Sequence, residues 1–145
     1  MHGLIDTNIL IYASSEAAPE HRAARAFLDQ VAQDRSSYAI TWINIGEYLA
    51  FVTQSFGGAP PLFSLQEACA NVTSLLALPT LRLLTEGEGY WTTLQAILQD
   101  VGAVRGSFVH DCRIAAIMRE HGIDTIFTRD TEFRRIPKLH VINPL

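Results

Sequence analysis

Residues 2–13, HGLIDTNILIYA, place a single acid, Asp6, between a short apolar run and a stretch whose apolar residues recur at helical spacing. This pattern predicts a buried β-strand over Leu4 and Ile5 that leads directly into a helix. Alternating strands and helices of this kind are typical of α/β folds. Asp6 is either the cap of that helix or part of a reaction centre.

The rest of the chain continues the alternation of short apolar runs and longer periodic segments. Strands are predicted over residues 37–41, 81–84, 125–128 and 140–142, and helices over residues 19–34, 43–56, 64–78, 89–101 and 108–121. This order predicts a three-layer α/β/α sandwich with a central, mainly parallel sheet. Because no linker, repeat or low-complexity tract interrupts the 145 residues, residues 1–145 are expected to form one domain.

Composition limits the possible classes of protein. Neither a signal peptide nor a membrane span is expected, and Cys69 and Cys112 are predicted to be small buried residues in a reducing compartment, so a cytoplasmic protein is predicted. Charged residues form only 18% of the chain, which fits either an apolar surface covered by another chain or a somewhat apolar monomer. The net charge of −4 gives no overall basis for binding nucleic acid, although residues 105–138 carry seven basic and five acidic side chains.

Glu47 is isolated from every other charge. It is the one charged side chain among the 31 residues from Ser36 to Gln66. The predicted helix around it is apolar nearly all round, which indicates a buried helix. A buried carboxylate is strongly destabilising unless it meets a cation or keeps its proton, so Glu47 is a functional candidate. The alternative is a position at a wet edge of the helix.

Two further acids occupy comparable positions. Asp130 follows the predicted strand over residues 125–128, as Asp6 follows the first strand, and ligands of open parallel sheets bind beyond the carboxyl ends of the strands. Asp111 shares a helical face with apolar residues. Caps or turns for Asp6 and Asp130, and a favourable place in a first helical turn for Asp111, are the alternatives. Glu132 is expected to be a solvated charge.

Four acids that meet at one sheet edge need a compensating charge, since two like charges ~4 Å apart repel by ~4 kcal/mol at an effective dielectric near 20. Carboxylates suit Mg²⁺ or Mn²⁺, and the absence of paired His or Cys residues argues against zinc. Such ions activate water and stabilise phosphodiester displacement. Metal-dependent cleavage of a nucleic acid is therefore the leading chemical hypothesis.

The segments around these acids resemble one family. The chain is similar to the PIN domain, and in particular to the VapC toxins of bacterial and archaeal toxin–antitoxin pairs, in the stretches LIDTNIL with Asp6, NIGEYLA with Glu47, FVHDCRIAAIMREHGI with Asp111, TIFTRDTEF with Asp130, and the ending RRIPKLHVINPL. HDCRIAAIMREHG followed by TRDTEF is the specific part of the resemblance, and DTN alone is weak.

The resemblance implies a compact α/β/α sandwich and an endoribonuclease that arrests growth. It implies that Asp6, Glu47, Asp111 and Asp130 hold Mg²⁺ or Mn²⁺ and act in catalysis. It also implies a homodimer and a cognate antitoxin whose tail masks the active site. By the same resemblance Thr128, and with less support Thr7, orient a carboxylate or a metal-bound water, or simply cap the turns beside them.

The chain departs from the family pattern at two positions. Many relatives carry a basic residue where this chain has Ala50, so an RNA or antitoxin contact made there is in doubt. Relatives often have Asp where this chain has Glu132, which puts a metal role for Glu132 in doubt. Arg134 and Arg135 are candidates for RNA phosphate contacts, with a solvated surface as the alternative. Trp42 and Trp91 are expected to pack in the core or at an interface rather than to stack on bases.

Other functions are weighed against the ribonuclease toxin. A PIN nuclease that processes RNA without being a toxin, or a catalytically silent PIN module that binds RNA or a partner, would keep the same family pattern. A phosphatase of the haloacid dehalogenase type would need a second Asp where Asn8 stands and a catalytic lysine, and the one lysine is Lys138. A P-loop NTPase is excluded because the chain contains no GxxxxGK stretch.

Overall fold

The computed structural model describes residues 1–145. Strands and helices follow one another as β1 Leu4–Ile5, α1 Thr7–Ser14, α2 His21–Gln33, β2 Tyr38–Thr41, α3 Trp42–Val52, α4 Leu65–Leu76, β3 Leu81–Leu84, α5 Tyr90–Val101, α6 Phe108–Glu120, β4 Thr125–Phe127 and β5 His140–Ile142. A 3₁₀ turn, Thr131–Arg135, connects β4 to β5. None of the helices has the length and hydropathy that crossing a membrane requires.

All five strands are parallel and lie in the order β3-β2-β1-β4-β5. The chain runs outward from β1 to β3 on one side, and then returns to place β4 on the other side of β1. A parallel sheet binds ligands at such a reversal of strand order, beyond the carboxyl ends of the strands. Ile5 pairs with Phe127, so β1 and β4 end side by side. The residues that follow them are thereby brought together.

The sheet is covered on both faces, which makes three layers. One core joins Leu4 and Ala39 of the sheet to apolar residues of α5 and α6. The other joins Ile5 and Ile40 to α1, α2, α3 and α4. Neighbouring strand residues serve opposite cores because successive side chains of a strand point to opposite faces. The predicted α/β/α sandwich is confirmed, and its sheet is wholly parallel.

The third predicted helix ends earlier than expected. It was predicted over residues 43–56, whereas α3 ends at Val52. The hydroxyl of Thr53 donates to the Leu49 carbonyl at 2.6 Å, a side-chain bond that competes with the backbone ladder. Gly57 and Gly58, at φ 56° and 80°, therefore lie in the following loop and do not end the helix.

Two predictions of burial are wrong, those for helix α3 and for Cys69. Helix α3 is apolar on all sides but buries only the side that carries Ile45, Tyr48 and Val52. Trp42 and Phe51 are 52% and 38% exposed. Trp91 is 60% exposed at the start of α5, so neither tryptophan is in the core, and their packing at an interface stays a prediction. Cys112 is buried as expected, but Cys69 is exposed on α4.

Two helices begin with capping boxes. Ser64 and Glu67 form the one that opens α4, on the surface. Thr41 and Asn44 form the other, in which both side chains are fully buried at the start of α3. The Thr41 hydroxyl donates to the Asn44 side-chain oxygen at 2.7 Å and accepts from the Asn44 backbone N–H at 3.3 Å. The buried box fixes Asn44 beneath the carboxyl edge of the sheet.

Replacing these caps separates their contributions. We expect Thr41→Ala to lower the free energy of unfolding by about 2 kcal/mol, because it removes a cap and a hydrogen bond to a buried amide. Ser64→Ala, the matched surface variant, should cost ~0.5–1 kcal/mol. Urea denaturation of the two variants measures both losses, and equal losses would contradict a special role for the buried box.

Candidate active site

Asp6 lies just beyond β1 and is 6% exposed. One carboxylate oxygen, Oδ1, accepts from the Thr7 backbone N–H at 2.8 Å and so caps α1. The other, Oδ2, accepts from the Thr128 hydroxyl at 2.6 Å and the Asn8 amide at 3.0 Å. Asp6 is therefore a helix cap whose carboxylate is also tied to the end of the neighbouring strand.

Thr128 is the residue that joins the ends of β1 and β4. Its buried hydroxyl donates to Asp6 and accepts from the Asn8 amide at 2.9 Å and from the Asp130 backbone N–H at 2.9 Å. One hydroxyl thus positions a carboxylate on one strand end and the backbone of a second acid on the other. Its predicted role of orienting a carboxylate agrees with this geometry.

Glu47 projects from α3 and is half-buried, at the edge of the helix. Its Oε2 accepts from the Thr7 hydroxyl at 2.6 Å. Thr7 in turn accepts from the Asn44 amide at 3.1 Å, and this amide also lies 3.4 Å from Asp6 Oδ1. A continuous chain of uncharged donors therefore links Glu47 to Asp6.

Asp111, in the first turn of α6, carries the strongest sign of crowded negative charge. Burial first, and then the charges of Asp6, Asp130, Glu47 and Glu132, raise its pKa to about 8. Burial also raises the pKa of Asp6 to about 6, against the lowering effect of its bonds to Thr128 and Thr7. The acids predicted from distant parts of the chain therefore act on one another at one edge of the sheet.

Asp130 begins the 3₁₀ turn, and its Oδ1 accepts from the Glu132 backbone N–H at 2.8 Å. Glu132 is exposed, as expected for a solvated charge. Next to Asp130, Arg129 pairs with Glu20 and lies over the Tyr12 ring, 5.7 Å from its centroid. The cation adjacent to the acids is therefore engaged elsewhere.

The two arginines predicted to contact RNA differ in their surroundings. Arg134 is exposed, with its side chain at the surface. The guanidinium of Arg135 lies over the Phe108 ring, 4.2 Å from the centroid, and donates to the Ala103 carbonyl at 2.6 Å. Arg135 therefore packs against the start of α6. Contacts of Arg134 and Arg135 with RNA phosphates stay predictions.

The fit of these acids to a metal ion can be judged from their chemistry. No group of three or more His, Cys, Asp or Glu side chains is close enough in the structure to share an ion. The acids are nevertheless near enough to raise the pKa of Asp111, an effect that acts over longer distances than a ligand bond. Hard oxygen donors with an uncompensated negative charge match what Mg²⁺ or Mn²⁺ needs. The four acids therefore fit a divalent cation in their chemistry and in their position at the sheet edge. Their side chains are not close enough together to share one ion.

Two residues of the site were not predicted from the sequence. Asn8 and Asn44 donate amide hydrogen bonds to Asp6, from α1 and α3 respectively. The available signal for Asn44 was its place three residues after Thr41, at the end of a predicted strand, which is the spacing of a capping box. For Asn8 the sequence gave no signal except its position two residues after Asp6.

The raised pKa values predict how stability depends on pH. Without metal, the folded protein binds protons more tightly at Asp6 and Asp111 than the unfolded chain does, so protonation of these two groups stabilises the fold. This stabilisation is complete below about pH 4 and is lost as the pH rises to about 8. We expect the urea midpoint in EDTA to fall across this range. Asp111→Asn should flatten the upper part of the fall, and a midpoint that rises with pH in both proteins would contradict the shifts.

The chain is similar in sequence to curated ribonucleases. The curated relatives include Ribonuclease VapC48 of Mycobacterium tuberculosis, 28% identical over 145 residues that cover 99% of this chain and 98% of the relative. VapC ribonuclease Mb2897 of Mycobacterium bovis is 29% identical over 141 residues, covering 97% and 94%.

Solved structures show the same fold. The chain is similar to VapBC2 of Rickettsia felis bound to a promoter DNA fragment, with a TM-score of 0.68, 20% identity, and coverage of 97% of this chain and 96% of that one. It is also similar to the sarcin-ricin loop cleaving toxin VapC20 of Mycobacterium tuberculosis, with a TM-score of 0.66, 16% identity, and coverage of 94% and 98%. The sequence model of the PIN domain family matches residues 3–139 of the chain. The chain thus belongs to the PIN domain family, as its four acidic segments predicted.

Proposed function

We propose that this protein is a Mg²⁺- or Mn²⁺-dependent endoribonuclease and the toxin of a toxin–antitoxin pair. The observation that carries the proposal is the raised pKa of Asp111, caused by burial and then by the charges of Asp6, Asp130 and Glu47 at the carboxyl edge of a PIN-family sheet. The relatives named as VapC ribonucleases and a neighbour named as a toxin–antitoxin complex from Klebsiella pneumoniae support an RNA-cleaving hydrolase of this kind. The predicted membership of the PIN family is confirmed by the match over residues 3–139.

The four acids are proposed as the metal ligands. When bound, Mg²⁺ or Mn²⁺ supplies the positive charge that offsets developing negative charge on the phosphate and makes water more acidic. Thr7 and Thr128 hold Glu47 and Asp6 in place, and Asn8 and Asn44 fix the rotation of the Asp6 carboxyl group. At neutral pH the metal-free Asp111 carboxyl group keeps its proton, so loading the site releases it.

The partner proposed for the face of the sheet that α1, α2, α3 and α4 cover is an antitoxin. A groove of 860 Å³ lies between the four helices on that face, lined by apolar residues such as Leu10, Leu28, Tyr48 and Val72. Grooves of this kind bind an apolar segment or amphipathic helix of a protein partner. The neighbours described as toxin–antitoxin complexes make an antitoxin the fitting occupant.

Self-association as a homodimer stays a prediction. Phe51 and Phe56 form an exposed aromatic pair with ring centroids 5.0 Å apart, which a second copy can cover. A protein that acts on RNA inside a bacterium works in the cytoplasm, and that location is part of the same proposal. The phosphatase alternative is set aside because the chain belongs to the PIN family.

Asp6→Asn tests the proposal most simply. The variant keeps the cap of α1 but loses the charge, so we expect RNA cleavage in Mg²⁺ or Mn²⁺ to fall by at least about 100-fold while the far-UV spectrum is unchanged. Cleavage is followed on total RNA, with EDTA added to the wild-type protein as the second control. Expression of the wild-type protein, but not of Asp6→Asn, should arrest growth, and co-expression of the neighbouring small gene should restore it.

The possible failures lead to different conclusions. Full cleavage by Asp6→Asn would contradict the assignment of the site. Metal-dependent cleavage without growth arrest would favour an RNA-processing nuclease. RNA binding without cleavage by the wild-type protein would favour a silent PIN module.

A further inference from the structure

A second cavity adjoins the acidic site and is not accounted for by the four acids. It has a volume of 320 Å³ and is lined by Trp42, Ile43, Gly46, Glu47, Glu86, His110 and Arg113. Its walls are the start of α3, the first half of α6 and the loop after β3. Glu47 belongs both to this cavity and to the acidic site, so a group in the cavity lies next to the reacting centre. Its volume is at the lower end of the ~300–1,000 Å³ range of small-molecule sites, which suits a single nucleotide.

Trp42 supplies a large aromatic surface at the mouth of this cavity. It is the first residue of α3, and it is 52% exposed. Stacking of a base on an aromatic side chain changes affinity by about 5- to 150-fold, largely independent of the base. An exposed indole beside a nuclease site is therefore suited to bind an unpaired base.

Arg113 supplies a positioned cation on the opposite wall. Its Nε donates to the Tyr90 hydroxyl at 3.2 Å, and its Nη1 lies 3.3 Å from His110 Nδ1. Glu86 forms an ion pair with Arg113, its Oε1 lying 3.8 Å from Nη2, which is too long for a hydrogen bond, and both side chains are partly exposed. The guanidinium is thus fixed in place while keeping N–H groups for an anion, and Arg binds phosphate well in that state.

Gly46 keeps the cavity open. It stands in the interior of α3, where glycine is less favourable than alanine. A Cβ atom built at this position meets nothing within 4 Å, so packing inside the chain does not require a glycine. The missing side chain instead leaves room for a group that approaches the helix from outside.

We propose that this cavity binds the nucleotide next to the scissile phosphate, with its base stacked on Trp42 and a phosphate of the RNA bound by Arg113. This subsite rests on the proposed ribonuclease function and names where single-stranded RNA is held. It assigns base stacking to Trp42, for which the sequence favoured packing in the core or at an interface. Trp91, which is 60% exposed but does not line the cavity, has no such role.

Tryptophan fluorescence tests the stacking without requiring cleavage. In Trp91→Phe the one remaining tryptophan is Trp42, and in Trp42→Phe it is Trp91. The probe is a short, end-labelled, single-stranded RNA of mixed sequence in Ca²⁺, whose binding is followed separately by anisotropy. Saturable quenching is expected for Trp42 and no change for Trp91. Bound RNA that leaves Trp42 emission unchanged, or that quenches both equally, would overturn the proposal.

Steady-state cleavage adds a readout that a purely structural role would not move. Trp42→Ala should raise KM about tenfold with kcat within about twofold, and Trp42→Phe should restore most of the affinity. If the wild-type protein cleaves RNA but Trp42→Ala has the same KM, the subsite is wrong and the ribonuclease function stands. If the wild-type protein does not cleave RNA, the ribonuclease function fails while the fluorescence result still decides the subsite.

Filling the cavity gives a matched pair of variants. Gly46→Leu places a side chain inside the cavity, whereas Ala50→Leu adds one a turn further along the same exposed face. We expect Gly46→Leu to weaken RNA binding at least about tenfold and Ala50→Leu to leave it unchanged. Sedimentation of both variants is the control. If both change the oligomeric state and RNA binding alike, this face is a contact between copies of the chain, and the proposal is wrong.

Discussion

Repulsion between carboxylates at the carboxyl edge of the sheet is the constraint on which the rest of the site depends. Burial and neighbouring acids raise the pKa of Asp6 to about 6 and that of Asp111 to about 8. The hydrogen bonds that hold the Asp6 and Glu47 carboxylates come from uncharged hydroxyls, amides and a backbone N–H. Arg129, which is adjacent to Asp130 in sequence, forms an ion pair with Glu20 and not with the acids of the site. Such donors orient the carboxylates but leave their charge, which is the state that a divalent cation needs.

The same contacts hold the fold and the site together. Strand β1 is only two residues long, and the bond from Thr128 to Asp6 ties its end to that of β4 across 122 positions of sequence. The buried box of Thr41 and Asn44 then joins α3 to the same point. These hydrogen bonds join elements of the fold and also hold the carboxyl groups of the site. The acids are therefore positioned before a ligand binds. Stability at the sheet edge and readiness to bind a cation are therefore linked through the same side chains.

Much of this arrangement could be predicted from the sequence, and the rest depends on contacts that no local pattern encodes. Asp6 and Asp130 follow short apolar runs, and Glu47 is isolated from other charges, so each gave a clear signal. Asn8 and Asn44 did not, because polar residues are ordinary at helix starts and their function comes from distant partners. The exposed face of α3 was missed because an apolar helix does not reveal which of its sides another element covers.

Anomalous X-ray scattering from crystals soaked in Mn²⁺ tests the central claim, that separated acids form one cation site, most directly. We predict that the strongest anomalous peak lies among the carboxyl groups of Asp6, Glu47, Asp111 and Asp130, with those side chains drawn toward it. We also predict that the peak is lost in Asp111→Asn. A peak on another part of the molecule, or none at saturating Mn²⁺, would contradict it.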